Sequence, residues 1–234
     1  TIDGLDIWIA ESGEGPPLLL LHGGLGDSDE MLTPLGPHLP GRRLIAFDRQ
    51  GHGHTADSGA AFHFADFVGE TAAVIRALGI GPVDIVGFSD GGIIGLLLGL
   101  EHPDLLGRLV AIGANFHHSG VPQLVLADDS PHFARMQDRY GAISPDGRAH
   151  FPSVADRVRH MWATEPTLEA GALARISHPV LVMAGDRDII YLSHTCALFE
   201  ALPHGQLAIV PGATHGVAQE KPALVAQLIR DFLG

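Results

Sequence analysis

Short runs of apolar residues, each about the length of a β-strand, recur along the chain and alternate with segments in which apolar residues follow the period of a helix. Apolar runs that lack a polar alternation are typical of strands buried on both faces of a parallel sheet. The pattern predicts strands at Leu5–Ala10, Leu18–His22, Leu44–Asp48, Val83–Phe88, Leu109–Gly113, Val180–Ala184 and Leu207–Val210.

Helical periodicity appears between these runs. Phe64–Leu78 is predicted to be an amphipathic helix, because its apolar residues fall on one face. Asp90–Leu100 is apolar all round, which predicts a nearly buried helix, and Pro222–Leu233 has proline at a position suited to a first helical turn. Strands alternating with helices predict an α/β fold, with a mostly parallel sheet and helices on both faces.

One interval breaks this alternation. About sixty residues between Asn115 and Ser177 contain no convincing strand, which is far longer than an ordinary connection. Phe133–Tyr140 and Val154–Ala163 have the pattern of short helices. We expect a single domain, residues 1–234, with a small helical cap inserted at about 116–176 over the carboxyl ends of the strands. The alternative is an irregular excursion that packs on the sheet edge and contacts no substrate.

Composition narrows the functional classes. The chain has 234 residues, which suits one domain with a substantial core, and a formal net charge of −13. This charge repels phosphate backbones and anionic membrane surfaces, so neither nucleic acid nor a membrane is expected as a partner. Cys196 is the only cysteine, which excludes an internal disulfide and favours a reducing compartment. Acidic residues interrupt the apolar positions of Thr1–Glu11, unlike a signal peptide, and we predict a cytoplasmic protein.

The strongest chemical signal is the segment Gly87-Phe88-Ser89-Asp90-Gly91-Gly92. It follows a predicted strand and opens a predicted helix, as a Gly-x-Ser-x-Gly nucleophile elbow does. Glycine at 87 and 91 relieves the clashes of so tight a turn, and the helix N-terminus favours negative charge beside the serine. We therefore interpret Ser89 as the candidate nucleophile. The alternative, that the segment is only a glycine-rich turn, does not require this strand before it and this helix after it.

A serine nucleophile needs a base, and the base needs an acid that orients it. Where this elbow occurs, the chain order is serine, then the acid, then histidine. Asp186 and Asp188 both follow the predicted strand Val180–Ala184, and His215 follows the predicted strand Leu207–Val210 between small residues. His215 is the candidate base, and the two aspartates are alternatives for the acid.

With these motifs the sequence resembles the α/β-hydrolase superfamily along nearly its whole length, the cap being the part least covered. In that family the acid usually lies three residues after the glycine that ends its strand, which implies Asp188 and leaves Asp186 as a turn residue. The segment Asp48–Thr55 resembles the family's Asp-x-x-Gly-x-Gly-x-Ser loop, which is mainly structural, so no catalytic role is assigned to it.

The resemblance also implies an oxyanion hole. One donor is the backbone N–H of Asp90, the residue after the nucleophile. His22-Gly23-Gly24-Leu25-Gly26 resembles the family's His-Gly-x loop, which implies the N–H of Gly24 as the second donor, or that of Leu25 in a shifted register. A phosphate cradle is the weaker interpretation, because no Lys-Ser/Thr pair follows the glycines.

Ser-Asp-Gly-Gly, together with Gly113-Ala114-Asn115, resembles the valacyclovir-hydrolase group, which cleaves α-amino-acid esters. In that group the aspartate matching Asp90 binds the substrate ammonium, which implies the same role here. The alternative is an acidic residue that only stabilises the first turn of its helix. Asp90, Leu25 and Trp162 are the candidate substrate-binding residues.

The function expected is hydrolysis of small carboxylic esters through an acyl-enzyme, with α-amino-acid esters as the finer expectation. A lactone, thioester or C–C bond hydrolase with the same triad is an alternative, and so is a ligand receptor on a hydrolase fold. No cofactor is expected and no metal, because the histidines lack ligand spacing with a third ligand. The sequence does not indicate whether the protein is a monomer or an oligomer.

Overall fold

The structure is a computed structural model that describes residues 1–2, 4–122 and 130–234. Within those ranges it contains a seven-stranded sheet in the order β1-β3-β2-β4-β5-β6-β7, and every neighbouring pair is parallel except β1 with β3. The strands are β1 Ile9–Ser12, β2 Pro17–Leu21, β3 Arg43–Phe47, β4 Val83–Phe88, β5 Leu106–Ile112, β6 Val180–Gly185 and β7 Gly205–Val210. The predicted fold class, a mostly parallel sheet flanked by helices, is confirmed.

Helices cover both faces of this sheet. They are α1 Asp29–Leu35, α2 Phe64–Leu78, α3 Asp90–Glu101, α4 Pro131–Ile143, α5 Phe151–Thr164, α6 Ala170–Leu173, α7 Leu192–Ala201, α8 Val217–Glu220 and α9 Pro222–Leu233. Short 3-10 turns lie at Gly36–His38, Pro103–Leu105, His118–Gly120 and Arg148–His150. Among the described residues no helix combines the length and the apolar character needed to cross a bilayer.

Alternate side chains of each strand enter two separate cores, as the two-residue period of a strand requires. Leu19 and Leu21 of β2 pack in the core that holds α2 and α3, whereas Leu18 and Leu20 pack in the core that holds α1, α8 and α9. Because both faces are covered, inner strands such as β2 and β6 have no polar face, which explains why their sequence shows apolar runs instead of alternation.

The first strand differs from the predicted Leu5–Ala10. The observed strand begins at Ile9, which pairs with Phe47, the last residue of β3. Residues before Ile9 lie beyond the end of that partner strand, and Trp8 donates its backbone N–H to Thr55 Oγ1 instead. One further backbone bond, from the Asp48 N–H to the Trp8 carbonyl at 3.1 Å, continues the pairing past Phe47, and Ile2 and Ile7 pack on the core.

Helix ends follow local chemistry. Ser130 accepts a hydrogen bond from the N–H of Phe133 and Pro131 takes the first turn, so α4 begins with a side-chain cap and proline at N1. At the end of α2, Gly79 adopts φ +62°, and Ile80 donates its N–H to the Ile75 carbonyl. This left-handed C-terminal turn satisfies carbonyls that the helix leaves unpaired, and glycine takes it without a steric cost.

Three helices, α4, α5 and α6, occupy the described part of the interval 116–176, while residues 123–129 of the predicted cap lie outside the described residues. Their apolar side chains join the core that contains α2 and α3. The members fully buried there are Phe133, Tyr140, Phe151, Val154, Ala155, Val158, Met161 and Leu173.

Replacing Phe151 by alanine is expected to lower the free energy of unfolding by about 3–5 kcal/mol, because the ring is completely buried and its removal leaves a cavity. Urea denaturation of both proteins measures the change. Leu224→Ala is the control, since Leu224 is 44% exposed and its truncation should change stability by about 0.5 kcal/mol or less. Similar losses in the two variants would contradict the packing of α5 into the main core.

Candidate active site

Ser89 stands at the turn between β4 and α3 in a strained backbone conformation, with φ +51° and ψ −117°. A Cβ added at Gly87 would lie 2.3 Å from the Gly91 carbonyl oxygen, and one added at Gly91 would lie 2.2 Å from the Leu21 carbonyl oxygen. Both positions therefore require glycine. The Ser89 N–H donates to the Ile112 carbonyl of β5 at 2.8 Å, which fixes the turn on the neighbouring strand.

His215 and Asp188 lie beside this serine. His215 Nε2 is 3.0 Å from Ser89 Oγ, and His215 Nδ1 is 2.8 Å from Asp188 Oδ1. The Asp188 side chain is almost completely buried and also accepts the N–H of Ile190 at 3.0 Å. The structure thus brings together the three residues that the motifs single out, with the histidine between the hydroxyl and the carboxylate.

Asp186, the residue after β6, binds the loop that carries His215. Asp186 Oδ1 accepts the N–H groups of Gly212 at 2.7 Å and Ala213 at 3.2 Å. Asp186 is therefore bound to nearby amides, whereas Asp188 contacts the histidine ring. Gly113 passes so close that a Cβ there would lie 3.0 Å from His215 Cε1, and its φ of +58° also favours glycine.

The candidate oxyanion donors are the backbone N–H groups of Gly24, in the loop after β2, and of Asp90, at the start of α3. Asp90 is the first residue of α3, so its N–H has no intrahelical acceptor, and the Gly24 N–H has no hydrogen-bond acceptor among the described residues. A Cβ added at Gly24 would come within 2.5 Å of both Asp90 Oδ2 and Trp162 Cζ2. Glycine is therefore needed where this loop passes the aspartate and the indole.

A cavity of about 1110 Å³ opens above the serine. Its lining contains Ser89 and His215 together with every predicted binding residue: Gly24, Leu25, Asp90 and Trp162. Asp188 lies behind the histidine and does not line it. Among the apolar residues of the interval 116–176, Val121, Met136 and Trp162 line the cavity, whereas Phe133, Tyr140 and Met161 are buried in the core.

Comparison with known proteins agrees with the fold. A family model described as the alpha/beta hydrolase fold matches residues 16–160, more than half of the chain. The chain belongs to the alpha/beta hydrolase fold family. The match runs from β2 through the elbow into α5, so it includes Ser89, whereas Asp188 and His215 lie beyond it.

Similar proteins span nearly the whole of this α/β-hydrolase chain. It is 28% identical over 257 residues to a 2-hydroxymuconate semialdehyde hydrolase of Pseudomonas sp. strain CF600, covering 98% of this chain and 91% of that protein. It is 29% identical over 228 residues to the magnesium-chelatase 30 kDa subunit of Rhodobacter capsulatus, covering 82% and 78%. The crystal structure of the enol-lactonase from Burkholderia xenovorans LB400 superposes with a TM-score of 0.79, at 19% identity and with 99% and 98% covered.

Arg49, which is completely buried, and Glu30, which is half-buried, were not predicted as site residues of this α/β hydrolase. The Arg49 guanidinium donates to the carbonyls of His22 at 2.7 Å and Gly23 at 2.9 Å, and Glu30 Oε2 accepts the Gly23 N–H at 2.8 Å. Arg49 belongs to a loop predicted to be structural, and Glu30 belongs to no motif. Only their burial and their contacts with the His-Gly-Gly loop indicate a role.

The predicted structural loop is organised around Asp48. Its completely buried carboxylate accepts the N–H and the hydroxyl of Ser28 and the N–H of His54, at 2.6–2.7 Å. In the described ranges, no three His, Cys, Asp or Glu side chains converge closely enough to hold a metal ion.

Proposed function

We propose that this α/β hydrolase cleaves small carboxylic esters through an acyl-enzyme on Ser89, with His215 as base and Asp188 as the acid that orients it. The observation that carries the proposal is the pair of contacts made by one imidazole, 3.0 Å to Ser89 Oγ and 2.8 Å to Asp188 Oδ1, on the floor of a large cavity. A serine hydroxyl becomes a strong nucleophile only with such a base beside it.

In the first half-reaction, Ser89 Oγ attacks the ester carbonyl while His215 Nε2 takes the hydroxyl proton. The negative charge passes to the carbonyl oxygen, where the N–H groups of Asp90 and Gly24 stabilise it. The intermediate collapses when the C–O bond to the leaving alcohol breaks and His215 returns the proton to that oxygen. Asp188 remains ionised and stabilises the imidazolium.

In the second half-reaction, water attacks the acyl carbon and His215 takes one of its protons. The same two amides stabilise the second tetrahedral intermediate. The bond to Ser89 Oγ then breaks, His215 returns the proton to the serine, and the carboxylic acid leaves. One water is consumed and one acid and one alcohol are formed, so no redox partner is needed.

The bond type is the part of the proposal that a substrate panel tests. One similar protein is a hydrolase of 2-hydroxymuconate semialdehyde and one similar structure is that of an enol-lactonase, so C–C and lactone cleavage are the competing activities. Short p-nitrophenyl esters, amino-acid esters, thioesters, lactones and a vinylogous diketone should be assayed side by side. We expect the highest kcat/KM for an ester. No turnover of any member would instead favour a ligand receptor.

Asp90 provides the support for the finer proposal, that the substrate is an α-amino-acid ester. Its carboxylate lines the cavity, and Trp162 Nε1 donates to both oxygens, at 2.9 and 3.1 Å. Burial raises the pKa of Asp90, while the charge of Arg49 and the Trp162 hydrogen bond act in the opposite direction. One indole donor leaves acceptor capacity on a buried carboxylate, which a substrate ammonium would use.

Asp90→Asn is expected to reduce kcat/KM for an α-amino ester by about tenfold to a hundredfold, the equivalent of a charge-assisted contact of about 1.5–3 kcal/mol. The uncharged ester of the same acyl chain length should change little, or improve, because a carboxylate beside a developing oxyanion is unfavourable. The substitution keeps the backbone N–H of residue 90. Measuring both esters on both proteins isolates the charge.

The same pair of esters supplies the control for Asp90. If the carboxylate only stabilises the first turn of α3, both esters should change by the same small factor. Equal changes would remove the amino-acid ester from the proposal and leave general ester hydrolysis intact. Because its pKa is raised, Asp90 gains a proton at a higher pH than an ordinary carboxyl group, so the preference for the charged ester should decline as the pH falls.

We also propose that residues 116–176 form a cap that shapes the substrate site. Met136 of α4 and Trp162 of α5 support this role, because they line the same cavity as Ser89. Arg139 of α4 contacts Asp27, which follows the proposed oxyanion loop, residues 22–26. Its Nε and Nη2 atoms donate to the two carboxylate oxygens of Asp27 at 2.8 and 2.9 Å. Leu25, in that loop, and Trp162 are the proposed apolar contacts of the substrate.

A further inference from the structure

Glu30 is a carboxylate in the active-site cavity that no step of the proposed mechanism uses. It projects from the first turn of α1 to the oxyanion loop, residues 22–26, where Oε2 accepts the Gly23 N–H at 2.8 Å. A Cβ added at Gly26 would lie 2.5 Å from the same oxygen. The loop therefore folds around this carboxylate, with glycine on either side of the contact.

The carbonyl of Gly23 is bound by two other side chains, those of Arg49 and His22. It accepts Arg49 Nη2 at 2.9 Å and contacts His22 Nδ1 at 2.7 Å. Burial lowers the pKa of His22 well below its usual value, so the ring is neutral. His22 Nε2 accepts the backbone N–H of Arg49 at 3.2 Å, which assigns the single ring proton to Nδ1. Arg49 and His22 thus both donate to the Gly23 carbonyl.

These contacts determine where the proposed oxyanion donor points. In a trans peptide the C=O and N–H groups face opposite directions, so a Gly23 carbonyl held by Arg49 turns the Gly24 N–H to the other side. Glu30 holds the N–H of the preceding peptide. Two successive peptides are therefore fixed in a segment whose glycines would otherwise allow many conformations. A preorganised donor is the kind that stabilises charge in a transition state.

We propose that Glu30 is a positioning residue which, in its ionised form, fixes the His22–Gly23 peptide and thereby, together with Arg49 on the next peptide, orients the Gly24 N–H for the oxyanion. The inference rests on the proposed function, because it requires hydrolysis through an oxyanion at Gly24. It assigns the charge of Glu30 a role in turnover and none in contacting the substrate.

The surroundings of Glu30 set the pH range of this effect. Burial raises the pKa of Glu30 to about 7, the Gly23 N–H opposes the shift, Asp27 adds to it, and Arg49 and His215 oppose it. An acid with a raised pKa is ionised only above that value. The charge-assisted contact therefore predominates above about pH 7, is half populated near pH 7, and gives way to a weaker neutral contact as the pH falls further.

Other charged groups on elements packed against α1 have their own partners. Glu220 of α8 binds the N–H and hydroxyl of Thr214, and Arg230 of α9 binds the His38 carbonyl. Strands β2 and β3 present apolar side chains to the helix. Arg139 of the cap pairs with Asp27, the acidic neighbour of Glu30.

The test compares kcat and KM from pH 5 to 9, for an uncharged short ester, in the wild type and in Glu30→Gln. Glutamine keeps an oxygen acceptor but removes the charge. We expect kcat at pH 8 to fall about 5- to 30-fold, the usual loss when a charge-assisted contact becomes neutral, while KM changes less than about twofold. The acid limb of the kcat profile should require two ionisations in the wild type and one in the variant.

Glu70→Gln is the matched control. Glu70 is also a carboxylate whose pKa burial raises to about 7, and it also accepts a backbone N–H, that of Gln50 at 3.1 Å. It lines a separate cavity of about 190 Å³ that does not include Ser89. Glu70→Gln thus removes the charge of a carboxylate with a similar raised pKa and a similar backbone contact, outside the active-site cavity. We expect this variant to keep the wild-type kcat profile.

The outcomes separate the two proposals. A wild type that turns over no ester contradicts the proposed function itself. An active wild type whose Glu30→Gln variant keeps kcat and both ionisations overturns the role of Glu30 and leaves the proposed function standing. Equal losses in Glu30→Gln and Glu70→Gln, or a loss carried by KM, also overturn it. If Glu30→Gln does not fold, the wild-type profile decides: an acid limb of kcat that fits one ionisation contradicts the proposal.

Discussion

Replacing Ser89 by alanine is expected to lower ester turnover by about 10⁵- to 10⁶-fold while leaving the fold intact. The substitution removes the atom that forms the acyl-enzyme, and the oxyanion donors alone provide only a small residual rate. The side chain removed is small and its Oγ contacts His215 Nε2, so little packing is lost. Steady-state kinetics with a short p-nitrophenyl ester measures the loss, and intact-mass spectrometry after rapid quenching detects the acyl adduct in the wild type alone.

Ser193→Ala is the matched control for this result. Ser193 lies exposed in α7 and does not line the active-site cavity, so its loss should leave kcat unchanged. Circular dichroism and thermal denaturation of both variants should match the wild type. Wild-type turnover by a pure, folded Ser89→Ala protein would refute the proposed acyl-enzyme route.

Replacing Asp188 by asparagine is expected to lower kcat about 10⁴-fold, because an amide beside His215 Nδ1 favours the ring tautomer in which Nε2 carries the proton. That tautomer cannot accept the proton of Ser89. The affected contact is the 2.8 Å pair between His215 Nδ1 and Asp188 Oδ1. The pH dependence of kcat for the variant and the wild type tests the assignment.

Asp186→Asn is the comparison that tests the choice of acid. Asp186 accepts two backbone N–H groups, those of Gly212 and Ala213, and an asparagine oxygen can still accept both. Its effect on kcat should therefore stay within about tenfold. A larger loss in Asp186→Asn than in Asp188→Asn would show that the acid was assigned to the wrong aspartate.

Much of the candidate site could be predicted because its residues follow the ends of strands. Ser89 directly follows β4, and Asp188 and His215 lie in the loops after β6 and β7; the carboxyl ends of these three strands lie at one edge of a parallel sheet. His215 contacts Ser89 although 126 positions separate them in the chain. The order of apolar runs and the glycines around them carry this information, since strand direction and tight turns depend on local sequence.

Some elements escaped prediction for a local reason. Helix α1 has only 7 residues and contains Pro34, so it shows no helical period. Leu192–Ala201 forms α7 although the exposed Leu192 lies outside any apolar stripe. The first strand begins where its antiparallel partner β3 ends, and that limit has a non-local reason, because it depends on pairing with residues far along the chain.

The sequence by itself determined the fold class and the chain positions of the candidate nucleophile and base, because turn chemistry and hydrophobic period are local properties, whereas the choice of Asp188 as candidate acid came from the family resemblance. The tertiary structure alone decided which aromatic residues of the interval 116–176 enter the core, that Trp162 donates to Asp90, and that Arg49 and Glu30 hold the oxyanion loop. Burial of a charge and the pairing of its hydrogen bonds depend on neighbours distant in the chain, which no motif spacing records.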